Sequence, residues 1–198
     1  PDDNPRNDSI GHVLPGDEAM IADKNDEGIG EICLKGPNVM MGYYHMPEET
    51  EKVLVDGWFH TGDLGYMDGP YLYITGRKKN VIITRNGKNV FPEELEYYLG
   101  KVSLVAESMV WAAKDKDGQD DMIVATIRPD MEEVEAALGK EAAQDAAKVE
   151  QLLWNKVDEI NKNLPLFKKI RKISVRKEDF EKTTGKKIKR FVSENKQM

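Results

Sequence analysis

Five cations crowd the stretch Glu181-Lys182-Thr183-Thr184-Gly185-Lys186-Lys187-Ile188-Lys189-Arg190-Phe191, four of them directly after a Thr-Thr-Gly turn. Lysines in such a setting have three uses: lining a glycine-rich phosphate cradle, forming a basic patch for nucleic acid, or holding one ammonium out toward a reacting anion. A Walker phosphate loop requires G-x-x-x-x-G-K-[ST]. Here Phe180 stands in place of the first glycine and Lys187 in place of the closing Ser or Thr. A cationic run attracts phosphates whatever its order, yet few aromatic residues lie nearby to stack bases. Ile188, Phe191 and Val192 share one side of a short helix expected over residues 186–194. Such a helix would anchor the segment and leave a particular lysine pointing outward.

A second constellation lies in residues 57–96, GWFHTGDLGYMDGPYLYITGRKKNVIITRNGKNVFPEELE. It holds an acid on a tight turn, Asp63, an arginine after a glycine, Arg77, and a polar glycine loop from Arg85 through Asn86, Gly87 and Lys88 to Asn89. Asp63 alone is an ordinary turn residue and Arg77 an ordinary surface one. Together, a carboxylate able to accept two hydroxyl hydrogen bonds and a guanidinium able to brace it are what recognition of a ribose diol requires.

These residues need elements to position them. The first third alternates apolar and polar residues at Ile32 and Leu34 and again at Tyr71 and Tyr73, with Asp-Gly-Pro turn chemistry at residues 68–70, so it reads as short strands of a small barrel or sheet edge. One short helix is expected at PEETEKVL, where proline and acids open the first turn. After Arg77 the pattern changes. NVIIT reads as a strand and PEELEYYLGK as a helix with Pro92 first and Gly100 at its stop, followed by strands ESMVWAA and DMIVATIR. Val149, Leu152, Leu153, Val157 and Ile160 mark one helical face ending before Pro165, with Gly139 a candidate break in the lead-in. A strand is expected at residues 173–175. The fold class is therefore α+β, with a boundary and candidate pivot inside TGRKKN, residues 75–80, between a β-rich first part and a compact α+β unit of about 120 residues.

Composition narrows the function classes. A chain of 198 residues with 39% hydrophobic content can bury a core. It has no apolar run near the roughly 20 residues of a membrane-spanning helix, so a cytoplasmic location with at most peripheral membrane association is expected. Cys33 is the single cysteine and is expected in the core of a strand. The three histidines, His12, His45 and His60, lack ligand spacing, so no metal held by protein side chains is expected. Residues 168–190 carry eleven Lys or Arg against three acids in a chain whose formal net charge is −7. A basic end on an acidic body suits an anionic partner or a solvated face.

GEICLKGPNVMMGYY, FHTGDLG, YLYITGRKKN, NGKNVFPEELE and FEKTTGKKIKR occur in the order and spacing of the adenylate-forming superfamily, which includes acyl-CoA synthetases, firefly luciferase and the adenylation domains of peptide synthetases. The chain most resembles the carboxyl-terminal portion of bacterial long-chain fatty acyl-CoA ligases. The resemblance implies that residues 1–78 are a remnant of a large AMP-binding domain with distorted barrel strands, and residues 79–198 its small mobile carboxyl-terminal domain. It implies that Asp63 binds the ribose hydroxyls of ATP with Arg77 in support, that Lys79 is the hinge, and that the loop Arg85, Asn86, Gly87, Lys88, Asn89 faces CoA.

The superfamily pattern P-K-T-x-[ST]-G-K-[IL]-x-R, aligned on KIKR, makes Lys187 the catalytic lysine, with Lys186 in place of glycine; aligned on GK it selects Lys186. The first register keeps Lys182, Thr183, Ile188 and Arg190 in place together. The co-substrates implied are ATP with Mg2+, a fatty acid and CoA. The partner implied is the amino-terminal part of the same enzyme, which carries the phosphate loop and acyl pocket, and no nucleic acid. Two alternatives stand beside this: an adenylation enzyme delivering acyl groups to a carrier protein, and a basic-ended binding module.

Overall fold

The computed structural model describes residues 6–114, 121–192 and 195–196. The chain divides into two compact units, Pro1–Asn80 and Val81–Met198.

In the first unit, β1 (Gly11–His12), β2 (Glu18–Ala22), β3 (Gly30–Lys35), β5 (Trp58–Asp68) and β6 (Tyr71–Arg77) form a sheet in the order β1-β6-β5-β3-β2, and β4 (Leu54–Val55) pairs with β5. The pairings are antiparallel. One helix, α1 (Pro47–Val53), opens on proline with Glu48 and Glu49 in its first turn. The strands expected as a small barrel or sheet edge make an open sheet: among the described residues β1 and β2 do not pair with each other.

The core on one face is small, built from Ile21, Ile32 and Leu72. Cys33 is buried, as expected, but β3 departs from the expected one-sided burial at Glu31, which is nearly as buried as Ile32. Its other face is covered because Cys33 stands opposite His60 on β5 and Lys78 reaches over to Glu31.

The second unit opens with a two-residue hairpin, β7 (Ile82–Ile83) against β8 (Asn89–Val90), so only part of NVIIT is strand. Helix α2 (Pro92–Gly100) follows, starting at proline where a missing N–H costs nothing. β9 (Val105–Lys114) and β10 (Asp121–Pro129) pair antiparallel, and β11 (Lys172–Val175) joins β10 in parallel. A parallel neighbour demands a long crossover, and α3 (Met131–Leu138) and α4 (Ala146–Lys162) supply it. Gly139, at φ 82°, does break the helical stretch as its sequence position suggested, and Asp130 and Asp145 accept the first free N–H groups of α3 and α4. Ile123, Ala125 and Ile127 alternate along β10 and meet Val149, Leu153 and Val157, spaced four apart on α4, with Leu95 and Leu99 of α2 in one core. Asn161 closes the far end of α4, its amide exchanging two hydrogen bonds of 2.9 Å with the Ile170 peptide.

The helix expected over residues 186–194 is not formed over its described part; Ser193 and Glu194 lie outside the described residues. Lys182 and Ile188 instead pair across an antiparallel bridge, and Phe191 is 82% exposed. The spacing of Ile188, Phe191 and Val192 suits a helix, but Gly185 and a left-handed Lys186, φ 60°, turn the chain back on itself.

Leu153 is fully buried in the carboxyl-terminal core. Leu153→Ala is expected to lower the unfolding free energy of that unit by about 2–5 kcal/mol, read from urea titrations of Trp111 and Trp154 fluorescence in a Trp58→Phe background.

Candidate functional site

In the first unit the chemistry sits where β5 and β6 pair. The antiparallel register sets Asp63 opposite Arg77, and the guanidinium Nε lies 2.7 Å from the carboxylate Oδ1. Gly62, at φ 72°, turns the backbone just ahead of Asp63 in a conformation that a side chain would strain. Thr61 fixes that turn twice, donating its hydroxyl to the Ile32 carbonyl at 2.7 Å and accepting the Asp63 N–H at 3.0 Å. Gly62, Arg77, Lys78 and Lys79 line a shallow cavity. Lys78 and Lys79 belong to a single 3-10 turn, Lys78–Asn80, closing the unit.

Beneath this turn lies a charge that the sequence alone did not single out. Glu31 is 5% exposed, and its carboxylate is met from three directions: the Gly62 N–H on Oε1 at 3.0 Å, and the Lys78 ammonium at 2.9 Å and His60 Nδ1 at 3.1 Å on Oε2. Burial alone pushes the Glu31 carboxyl up; the Lys78 ammonium, His60 and the Gly62 N–H outweigh it and hold the group below the ordinary carboxylate range. The same pairing raises Lys78. Burial and the Glu31 charge raise the Cys33 thiol, which keeps it protonated. No internal metal-binding group was expected, yet possible donor atoms of Glu31, Cys33 and His60 lie within 4.8 Å of one another. A metal there would have to displace Lys78 from Oε2 and expel the thiol proton.

In the second unit, the loop Arg85–Asn89 caps the β7–β8 hairpin. Gly87 occupies φ 69°, its N–H donates to the Thr84 carbonyl at 2.8 Å, and Thr84 N–H donates to the Lys88 carbonyl at 2.9 Å.

The lysine segment is a second hairpin. Thr183 N–H donates to the Lys187 carbonyl at 2.8 Å and Lys189 N–H to the Glu181 carbonyl at 2.9 Å. Asn195, fully buried, clamps the base: its amide donates to the Glu181 and Lys189 carbonyls and accepts the Glu181 N–H at 3.0 Å.

Charges fasten the hairpin to the sheet. Lys182 pairs with Glu107 on β9, which also accepts from Arg128 at 3.1 Å. Arg190 pairs with Glu96 of α2 and donates to the Val110 carbonyl at 3.0 Å, while Glu96 accepts the Val110 N–H at 2.6 Å. Burial pushes the Glu96 carboxyl up even against Arg190. Lys189 pairs with Glu181 at 2.5 Å. Of the five cations from Lys182 to Arg190, Lys186 and Lys187 alone lack an ion pair among the described residues, and both are exposed. Glu31, Lys78, Glu96 and Glu107 are the site residues that sequence reasoning missed. Glu31, Glu96 and Glu107 showed only as acids inside apolar strand and helix patterns, and Lys78 only as one cation of the run Arg77–Lys79.

No protein-family model matches the chain. A long-chain-fatty-acid–CoA ligase of Bos taurus is 48% identical over 90 residues, covering 44% of this chain and 12% of that protein. One from Salmonella typhimurium is 44% identical over 94 residues, covering 44% of this chain and 17% of that protein. Among solved structures, the O-succinylbenzoate coenzyme A synthetase of Bacillus subtilis in complex with ATP and magnesium matches with TM-score 0.70 and 28% identity, over 91% of this chain and 34% of that one. ATP-bound MatB from Rhodopseudomonas palustris matches with TM-score 0.67 and 33% identity over the same shares. The chain thus spans less than a fifth of these curated relatives and about a third of the solved chains.

Burial pushes the Glu107 carboxyl up, but Lys182 and Arg128 lower it further, to a net position below its ordinary value. A depressed folded-state pKa stabilises above the unfolded value, about 4.3, and that stability is lost as pH falls through the folded value. Glu107's contribution to the second unit should therefore be lost on acidification below about pH 4, and Glu107→Gln should flatten that part of the pH dependence in thermal melts between pH 3 and 7.

Proposed function

We propose, from a chain homologous over about half its length to long-chain fatty acid–CoA ligases and folded like a third of an adenylate-forming enzyme, that it is the carboxyl-terminal segment of an ATP-dependent fatty acyl-CoA ligase. The β-rich unit is then the remnant of the large domain, completed into a distorted barrel by strands beyond this chain, and the α+β unit is the small mobile domain. The reaction joins a fatty acid to CoA through an acyl-adenylate, with release of diphosphate and then AMP.

One observation carries the assignment of roles. Lys186 takes the left-handed backbone, φ 60°, that glycine adopts most readily, whereas Gly185 does not. That supports the register in which Lys186 replaces the pattern's glycine and Lys187 is the catalytic lysine. The ion pairs on Lys182, Lys189 and Arg190 hold the hairpin and leave Lys186 and Lys187 both exposed, so the choice between the two rests on the backbone. These pairs disfavour a nucleic-acid patch, since paired cations release few counterions.

In the first half-reaction, the fatty carboxylate attacks the α-phosphate, and negative charge gathers between two anions. The Lys187 ammonium, a compact point charge, stabilises that charge and holds the nucleophile in line. Asp63 accepts from both ribose hydroxyls, and Arg77 braces its carboxylate. Mg2+ would accompany ATP on the phosphates, and no residue of this chain is assigned to it. In the second half-reaction the small domain turns about Lys79, and the loop Arg85, Asn86, Gly87, Lys88, Asn89 faces the pantetheine arm. The left-handed Gly87 suits a close backbone approach there.

The 198-residue chain alone should give no fatty-acid-dependent pyrophosphate exchange above a no-enzyme blank. In the enzyme that includes this segment, Lys187→Ala should slow acyl-adenylate formation by about a hundredfold or more and slow thioester formation from preformed acyl-adenylate far less. Lys186→Ala should do neither. Equal losses in both half-reactions would remove Lys187 from this role. Lys79→Pro should show the opposite pattern to Lys187→Ala, sparing adenylation and suppressing thioester formation, because a fixed φ blocks the turn.

A further inference from the structure

Glu31 is a poor candidate for an ordinary core residue. A carboxylate taken out of water is tolerated only when donors surround it, and the donors here come from segments that the proposed reaction uses. Gly62 N–H lies one residue before Asp63 and is bonded to Oε1 at 3.0 Å; Lys78 lies one residue after Arg77 and is bonded to Oε2 at 2.9 Å. The two residues flanking the Asp63–Arg77 pair thus converge on one buried side chain, while the pair itself closes above them at 2.7 Å. Thr61 ties the left-handed Gly62 turn to Ile32 and to the Asp63 N–H, and Glu31 holds the Gly62 N–H between them, so Asp63's direction depends on both. His60 Nδ1, between Glu31 Oε2 at 3.1 Å and Cys33 Sγ at 3.5 Å, fills the remaining approach.

We propose that Glu31 is a positioning residue for ribose recognition, fixing the Gly62 turn and the Lys78 anchor so that Asp63 and Arg77 face the sugar hydroxyls at a fixed separation. This rests on the ligase reading above. Glu31 touches no substrate and acts through the groups on either side of the pair. The alternative use of the same atoms, a metal held by Glu31, Cys33 and His60, is disfavoured by the ammonium already on Oε2 and by the protonated thiol.

The test uses the enzyme containing this segment and compares ATP with 2′-deoxy-ATP in the adenylation half-reaction. Glu31→Gln keeps the shape and removes the charge. It should raise KM for ATP about tenfold with kcat changed by less than about twofold, and reduce the preference for ATP over 2′-deoxy-ATP by about tenfold. Asp63→Asn should erase the same preference. A merely structural role would lower both nucleotides alike.

An unchanged preference in Glu31→Gln beside a lost one in Asp63→Asn would overturn this inference and leave the ligase reading standing. An unchanged preference in Asp63→Asn would overturn both. Should Glu31→Gln fail to fold, as judged by its thermal melt, Lys78→Met takes its place, because the Lys78 side chain is 57% exposed and tolerates replacement. Loss of ribose preference there supports the inference and its retention overturns it. Stoichiometric Zn2+ retained by the purified chain after dialysis would assign the cluster to a metal and also overturn it.

Discussion

A charge removed from water must be met by donors, and in this chain that constraint decides where the chemistry-bearing loops can lie. Glu31 draws the Gly62 amide and the Lys78 ammonium to itself; Glu96 draws the Val110 amide and Arg190; Glu107 draws Lys182 and Arg128. A buried carboxylate stranded without donors is costly, so each loop is held by the acid it meets as well as by its own turn propensity. Lys186 and Lys187 are left unpaired among the described residues because their neighbours are not. Lys182, Lys189 and Arg190 are committed to Glu107, Glu181 and Glu96, which leaves Lys187 extended from a fixed base.

Much of the fold was legible because local signals agreed with each other. Pro92 followed by acids marked the start of α2, Gly139 marked the break between α3 and α4, and the four-residue spacing of Val149, Leu153 and Val157 marked the face that α4 buries. The lysine hairpin was not legible, because its apolar residues happen to fall at helical spacing while the turn is set by a lysine in a glycine-like conformation. Nothing in residue type announces that.

The site was legible in halves. Asp63 and Arg77 could be paired in principle because an aspartate and an arginine flank a predicted hairpin, and the register places them opposite each other. Glu31 could not be found in the same way: it lies far from both in sequence, on a strand whose alternation suggested that it faced solvent. Burial on both faces of β3 is a property of what Lys78 and His60 do from neighbouring segments. Glu96 and Glu107 were hidden for the same reason, as acids among many on a chain with a net negative charge.

The parallel pairing of β11 beside β10 has a consequence for how the protein is made. During synthesis, β9 and β10 emerge and can pair at once, but β10 keeps one edge open until the residues of α3 and α4 have also left the ribosome. An unpaired strand edge invites other chains. The interval before Lys172–Val175 arrives is therefore a period in which the nascent protein is exposed to misassembly at this edge, and the hairpin carrying Lys187, which follows β11, cannot be clamped before it ends.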